Sequence, residues 1–541
     1  MLLLVLSLLL LVVRAPEVLF FPDNQPQLIN VFVEFPIGTD IEATNEFVDG
    51  MEDELMVALA DYEDILESVI SQVGEGTGDP IEGPSNQPTP HKAKITIGFV
   101  DYIDRQGVNT NGAMEVIRDL AVKYPGVLVT VDKQRNGPPV GKAINLEFAG
   151  EDYDQLIAFV NQTREYLNDQ NIEGVDELKS DLSLGNPEVI LNIDREKARR
   201  FGLSTSEIAT DLRTALFGLE VSKYKEGEDD FPIQLRLKEG FRYDINTLVN
   251  KKIGFRDKFG DKREVPISAV AEVKYGSTYG SVKRKDLEKA ITIYSNVLDG
   301  YNATAVNAKI QAALQNYEVP DGISVKYTGE QEEQQKSMDF LLGALGIAVS
   351  LIFLIIVAQF NSVTTPFIIM ASVVLSTIGV FLGLVIFNMD FVVIMTGIGI
   401  ISLAGVVVNN AIVLIDYTNL VRERKRDELG MGPKDHLPFP LMIASIIEAG
   451  KTRLRPVLLT AITTVLGLIP LAIGMNINFG TLLSSFDPQF YVGGDNAAFW
   501  GPMAWTVIFG LTFATFLTLV IVPVMYLLAD KLNVRISKLK S

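Results

Sequence analysis

After residue 337 the chain contains five apolar runs, approximately Phe340–Phe360, Pro366–Phe387, Phe391–Tyr417, Pro456–Met475 and Pro502–Ala529. A hydrocarbon layer about 30 Å thick takes roughly 20 apolar residues in a helix, so each run is long enough to cross it. Lipid offers no hydrogen-bond partners to a backbone, which restricts such runs to helices. A sixth run, MLLLVLSLLLLVV at the N-terminus, is only about half a span. It has neither the basic n-region nor the small-x-small cleavage site of a signal peptide. Residues 1–14 therefore read as a truncated transmembrane helix.

Charge in the short connectors sets the orientation. The connector Thr418–Arg455 carries eight basic residues (Arg422, Arg424, Lys425, Arg426, Lys434, Lys451, Arg453 and Arg455), and the tail adds Lys531, Arg535, Lys538 and Lys540. Asn476–Gly501, on the opposite side, carries none. Basic connectors stay on the cytoplasmic side. The expected topology is six spans, the first incomplete, with 418–455 as a cytoplasmic loop and 15–337 as one large domain outside the cytoplasm.

Composition agrees with this division. The 541 residues carry a formal net charge of −20, but residues 15–337 hold 34 Lys+Arg against 56 Asp+Glu, while the remainder holds 13 against 11. One part is an acidic soluble body and the other is mostly membrane. No basic stripe on the soluble part supports nucleic-acid binding. There is no Cys, so disulfides and thiolate metal sites are excluded, and His91 and His436 are too far apart in sequence to suggest a histidine-based metal site. No nucleophile–His–acid set is present to suggest a membrane-anchored enzyme, and no catalytic residue is expected.

The external part has a βαβ rhythm. Leu28–Phe35 alternates as a strand, Ile41 to about Val69 reads as a helix, and Ala93–Val100 as a strand; the Gly- and Pro-rich stretch between the last two must be a loop. Met114–Lys123 reads as a second helix and Val127–Asp132 as another strand. The order predicts a ferredoxin-like β-α-β-β-α-β subdomain. A second such unit comes in two pieces. Ala143–Gly150, a helix at Tyr153–Asn168 and a strand near Val175–Leu182 form the first; Lys289–Val297, a helix at Ala303–Tyr317 and Ile323–Gly329 form the second. Roughly 189–287 is then an insertion, in which Ser204 caps a helix running to Leu216.

The membrane run GVVVNNAIVLIDY, Gly405–Tyr417, holds two adjacent amides and a carboxylate. Polar groups in hydrocarbon are costly and are kept for packing, a partner or a pathway. Asn409 and Asp416 are seven residues apart, hence on nearly one helix face and about 10 Å apart along the axis, whereas Asn410 is turned by about 100°. Asp416 also reads as an interfacial carboxylate at the helix end, as do Asp339 and Asp390. Gly397, Gly399 and Gly405 read as positions of close helix approach.

These residues bring a family into view. The segments LFFPDNQPQLINVFVEFPIGTDIEATN, DREKARRFGLSTSEI, VAQFNSVTTPFIIMASVVLSTIGV, GVVVNNAIVLIDYTN and EAGKTRLRPVLLTAITTVLGLIPLA occur in order over essentially the whole chain. The chain resembles the C-terminal half of a resistance–nodulation–cell division (RND) efflux permease, of the hydrophobe/amphiphile multidrug, acriflavine-resistance-like branch. The resemblance implies an α-helical membrane protein, half of an RND bundle, with a large α+β periplasmic domain. It makes 15–139 one porter subdomain, 140–188 with 288–337 the second, 189–287 the inserted docking subdomain, and 338–541 five transmembrane helices. It also implies a homotrimer in the bacterial inner membrane that works with a periplasmic adaptor and an outer-membrane channel. Transport would be driven by the proton-motive force, without a cofactor or metal.

In the family the paired proton-carrying aspartates belong to the N-terminal half, which this chain lacks. The motif usually reads Lys-Asn, and Asn409 stands at the lysine position. An amide can donate to a carboxylate but adds no positive charge, so partner aspartates would bind a proton more readily. Thr460 matches the hydroxyl that completes the relay, although a membrane threonine also bonds its own helix backbone. The implied relay residues are Asn409, Asn410 and Thr460, with Asp416 beside them. Other readings are a metal-ion exporter of the same superfamily, against which the scattered Met370, Met389 and Met395 form no Met pair or ladder, and a non-transporting accessory subunit.

Overall fold

The computed structural model describes the chain except for Met1, Ala15, Asp23, 79–87, Pro125, 135–139, 183–185, Glu228, Tyr243, 257–259, 279–281, Asp299, Val363, 433–436 and Ser541; at Leu2, Asn186, Pro187, Glu239, Ser277, Thr278 and 533–540 it describes the backbone alone. Lys434, His436 and most of the Gly- and Pro-rich loop thus lie outside the described residues. The chain divides into two compact units, Met1–Leu182 with Lys283–Ser541, and Ser183–Val282.

The first unit opens with helix α1 (Leu2–Arg14). Strand β1 (Leu28–Glu34) alternates strictly, with Ile29, Val31 and Val33 buried. Helix α2 (Ile41–Ala58), capped by Asp40, buries Val48, Met51 and Leu55, the spacing that puts one face on a sheet. The expected helix to Val69 is shorter than this: it ends at Ala58, and after a 3₁₀ turn the chain becomes β2 (Leu66–Gly74). This strand lies at the sheet edge with most of its residues exposed or half-buried. The burial that marks its neighbours is missing there, which hides it in the sequence. Then come β3 (Thr89–Phe99), α3 (Thr110–Ala121, capped by Asn109) and β4 (Leu128–Lys133). The sheet order is β2-β3-β1-β4, antiparallel throughout. Both helices pack on one face, in a core that includes Phe99, Met114, Ile117 and Leu120.

The next three elements are β5 (Ile144–Gly150), α4 (Tyr153–Asp169) and the two-residue β6 (Lys179–Ser180). The strand expected over Val175–Leu182 is mostly irregular; outside β6 it keeps a single bridge, Val175 to Val297. After the second unit the sheet resumes with β7 (Glu288–Ser295), α5 (Ala303–Leu314, capped by Asn302) and β8 (Ile323–Tyr327). The order β6-β7-β5-β8 repeats that of the first sheet.

Among the described residues five long apolar helices complete the unit: α6 (Glu330–Phe360), α7 (Thr364–Phe387), α8 (Val393–Glu428), α9 (Phe439–Ile473) and α10 (Asp495–Lys540). At 13 residues α1 is about 20 Å long, and it packs along α7. The expected loop 418–455 is largely helical. Helix α8 continues to Glu428 and α9 begins at Phe439, because charged residues beyond an apolar run can extend the helix into water. Close approach occurs at Gly399, where a Cβ would stand 2.8 Å from Thr506, and at Gly397, at the same distance from Leu341. The expectation fails at Gly405, where a Cβ meets nothing within 4 Å.

In the second unit, Asn186–Ile193 pairs antiparallel with Ala271–Thr278. Ser204 caps Thr205–Leu216 in a reciprocal box with Glu207, as the sequence predicts. Ala198, Ile208, Leu212, Ile253 and Ile267 form its core.

Candidate functional site

The four polar membrane residues separate into two groups. The Thr460 hydroxyl on α9 lies 3.3 Å from Asn410 Oδ1 on α8 and 2.9 Å from the Val457 carbonyl in its own helix. The hydroxyl thus bonds both the neighbouring helix and its own turn. Asn410 is 6 % exposed. Asn409, one residue earlier and about 100° away, is exposed, and so is Asp416. Ser402, Asn409 and Asp416 recur every seven residues and form one exposed polar strip on an apolar helix. Gly405 lies exposed within it. The structure joins Asn410 to Thr460 and leaves Asn409 and Asp416 facing outward. A polar strip in hydrocarbon needs polar neighbours.

The sequence reading missed a network at the basic end of the bundle. Arg422 Nη2 on α8 is 3.0 Å from Asp530 Oδ1 on α10, with the two side chains 12 % and 15 % exposed. The other terminal nitrogen of Arg422 donates to the Tyr526 hydroxyl, which in turn donates to Asn419 Oδ1. The Arg453 guanidinium lies 4.4 Å from the Tyr417 ring centroid, and Lys425 pairs with Glu448 at 2.9 Å. Only the opposite signs of Arg422 and Asp530 were visible in the sequence; a separation of 108 positions conceals the pairing.

Outside the spans, a cleft separates the two sheets. Lys179 on β6 donates to Thr130 Oγ1 on β4, and Lys142 pairs with Asp132. Glu34 and Lys92, 3.0 Å apart, lie beside them, and Phe32 and Tyr294 line the same cleft. Burial pushes the Lys179 ammonium pKa down, opposed by Glu177, Glu34 and Asp176.

The model of the AcrB/AcrD/AcrF family matches residues 1–530. The chain belongs to that family. Its fold is that of the RND permeases, with several helices long and apolar enough to cross a membrane and mixed helix and sheet content. It is 31 % identical over 349 residues to the swarming motility protein SwrC of Bacillus subtilis, a match covering 64 % of this chain and 30 % of that protein. It is 28 % identical over 370 residues to the cobalt-zinc-cadmium resistance protein CzcA of Cupriavidus metallidurans, covering 67 % and 31 %. The multidrug resistance protein MdtC of Erwinia tasmaniensis is 25 % identical over 359 residues, covering 66 % and 32 %. A crystal structure of a heavy metal efflux pump superposes with a TM-score of 0.75 at 22 % identity, over 97 % of this chain and 50 % of the pump. The chain thus spans about half the length of that pump.

Proposed function

We propose that this protein is the C-terminal half of a proton-driven permease that exports amphiphilic small molecules across the bacterial envelope. The carrying observation is the outward-facing Asn409 beside the half-buried Asn410–Thr460 bond. Amides exposed on an apolar bundle suit a partner bundle whose carboxylates take up and release protons. In this reading Asn409 donates to those carboxylates, Asn410 and Thr460 hold the helix pair in register, and Asp416 keeps the strip's end hydrated. The energy source is the proton-motive force, with no cofactor.

The repeated strand order of the two sheets supports ferredoxin-like porter subdomains in the periplasm. Helix α1 with the five longer helices supports a six-span half-bundle in the inner membrane. The same reading gives the complete pump a trimeric state, a periplasmic adaptor and an outer-membrane channel, with residues 189–287 as the docking subdomain.

A second reading, export of metal ions, is favoured by the similarity to CzcA and to the heavy metal pump. Susceptibility decides between them. Cells carrying this chain with a complementary N-terminal half should gain resistance to amphiphilic dyes and detergents, abolished by a protonophore. Resistance to cobalt, zinc or cadmium alone would select the metal reading.

A further inference from the structure

The two helices that share the Asn410–Thr460 bond are each fastened, at their outer ends, to a different sheet subdomain. Helix α8 begins directly after Phe391–Val392, a strand pair that runs parallel to Val18–Leu19. The Phe391 amide donates to the Glu17 carbonyl at 2.8 Å, and Arg14 reaches Asn388 Oδ1 at 3.1 Å. The carbonyl of Val18 in turn accepts from Asn302 Nδ2 at 3.2 Å and from Thr304 Oγ1 at 3.3 Å. Asn302 is also the N-cap of α5, accepting from the Ala305 amide at 3.0 Å. A hydrogen-bonded path therefore runs from the second subdomain through Val18 to the first turn of α8.

Helix α9 ends at Gly474, whose carbonyl accepts from the Gly493 amide at 2.9 Å and from Asn476 Nδ2 at 2.8 Å. The facing strand Tyr491–Val492 meets the first subdomain at Tyr102. The Tyr102 hydroxyl is 3.5 Å from the Val492 carbonyl, and a Cβ on Gly493 would stand 2.5 Å from that hydroxyl. Only glycine permits this approach. Arg105, 2 % exposed and three residues past Tyr102, donates from Nε to the Val100 carbonyl at 2.9 Å.

We propose that Asn302 and Tyr102 are coupling residues: each transmits displacement of one membrane helix to one subdomain, so that slippage of α8 against α9 opens or closes the cleft between the sheets. The inference rests on the proton-driven reading above for its purpose, but its geometry stands on these two separate ties. Switching elements move as packed, discrete units, so a small shift at one end is delivered whole at the other. The ties diverge, one to each sheet, and the contacts that close the cleft, Lys179 to Thr130 and Lys142 to Asp132, lie between the same two bodies.

The test needs no transport. The chain has no cysteine, so Asp119→Cys on α3 and Glu165→Cys on α4 place one spin label on each subdomain without background. In lipid nanodiscs, Thr460→Val removes the inter-helix bond; the label distance should shift or broaden by an amount on the order of 2 Å, the size of helix shifts at switching interfaces. Asn302→Asp with Thr304→Val keeps the α5 cap acceptor and removes both donors to Val18. In that background the response to Thr460→Val should disappear, with the melting temperature unchanged. An absent response in the intact chain, or an equal response after the tie is cut, overturns the proposal. Loss of dye resistance with the distance response preserved would count against the proposed function and leave the coupling standing.

Discussion

Asn410 and Thr460, 50 residues apart in the chain, meet at 3.3 Å where helices α8 and α9 pack. Such an inter-helix bond within a bundle is worth about 0.6 kcal/mol on average, and 1–2 kcal/mol at most, since the loosened state also finds partners. Asn410→Leu and Thr460→Val should each destabilise by that order, and the double variant should lose less than the sum. A thermal unfolding cycle in detergent measures the coupling; strict additivity would show that the two side chains act independently.

Asn409 should respond differently because it faces outward. With a complementary half present, Asn409→Leu leaves partner carboxylates short of a donor, at a cost of about 1–3 kcal/mol. Export should fall roughly tenfold, since 1.4 kcal/mol is one decade, at normal membrane abundance. Asn409→Lys should retain activity and move its pH optimum downward, because a cation lowers a neighbouring carboxylate's pKa. Dye export across pH, with protein levels measured alongside, reads both effects; full export by the leucine variant removes Asn409 from the relay.

Orientation is open to a labelling experiment. Cysteines at Glu75 and Lys451, both exposed, should react oppositely with an impermeant maleimide in intact spheroplasts, Glu75→Cys readily and Lys451→Cys only after lysis. Equal reaction at both positions contradicts the charge-based topology.

The second unit should unfold by itself. Residues 183–282, expressed alone, should melt cooperatively, and joining 182 to 283 by a short linker should leave the remaining sheet intact. Within the unit, Ser204 bonds hold the Glu207 carboxyl below its usual range. A carboxylate with a lowered folded pKa contributes stability that is complete above the unfolded value and fades as pH falls through the folded one. Ser204→Ala should therefore cost about 1 kcal/mol at neutral pH and flatten acid unfolding below about pH 4. A non-cooperative isolated unit, or an acid profile unchanged by the substitution, contradicts this.

The legibility of the sequence followed the range of the physics. Apolar runs report burial residue by residue, so the spans and the alternating β1 could be read directly. Edge strand β2 and the two-residue β6 could not, since one lacks burial and the other lacks length. Helix α8 past Thr418 looked like a loop because charge there marks the end of lipid rather than the end of the helix. For Asn409 and Asn410, the 3.6-residue period predicted their divergence, but which one meets Thr460 depends on how α9 packs. The pairing of Arg422 with Asp530, and of Val18 with Phe391, joins distant segments and leaves no local trace.

The neutral amide on the outward strip also bears on biogenesis. A lysine near the centre of a span adds about 2.5–3.5 kcal/mol to its insertion cost. With Asn409 in that place, helix α8 carries no charge along the middle of the strip as it enters the membrane. Whatever packs on that face is then held by hydrogen bonding, which acts only at contact and lacks the longer reach of a charge.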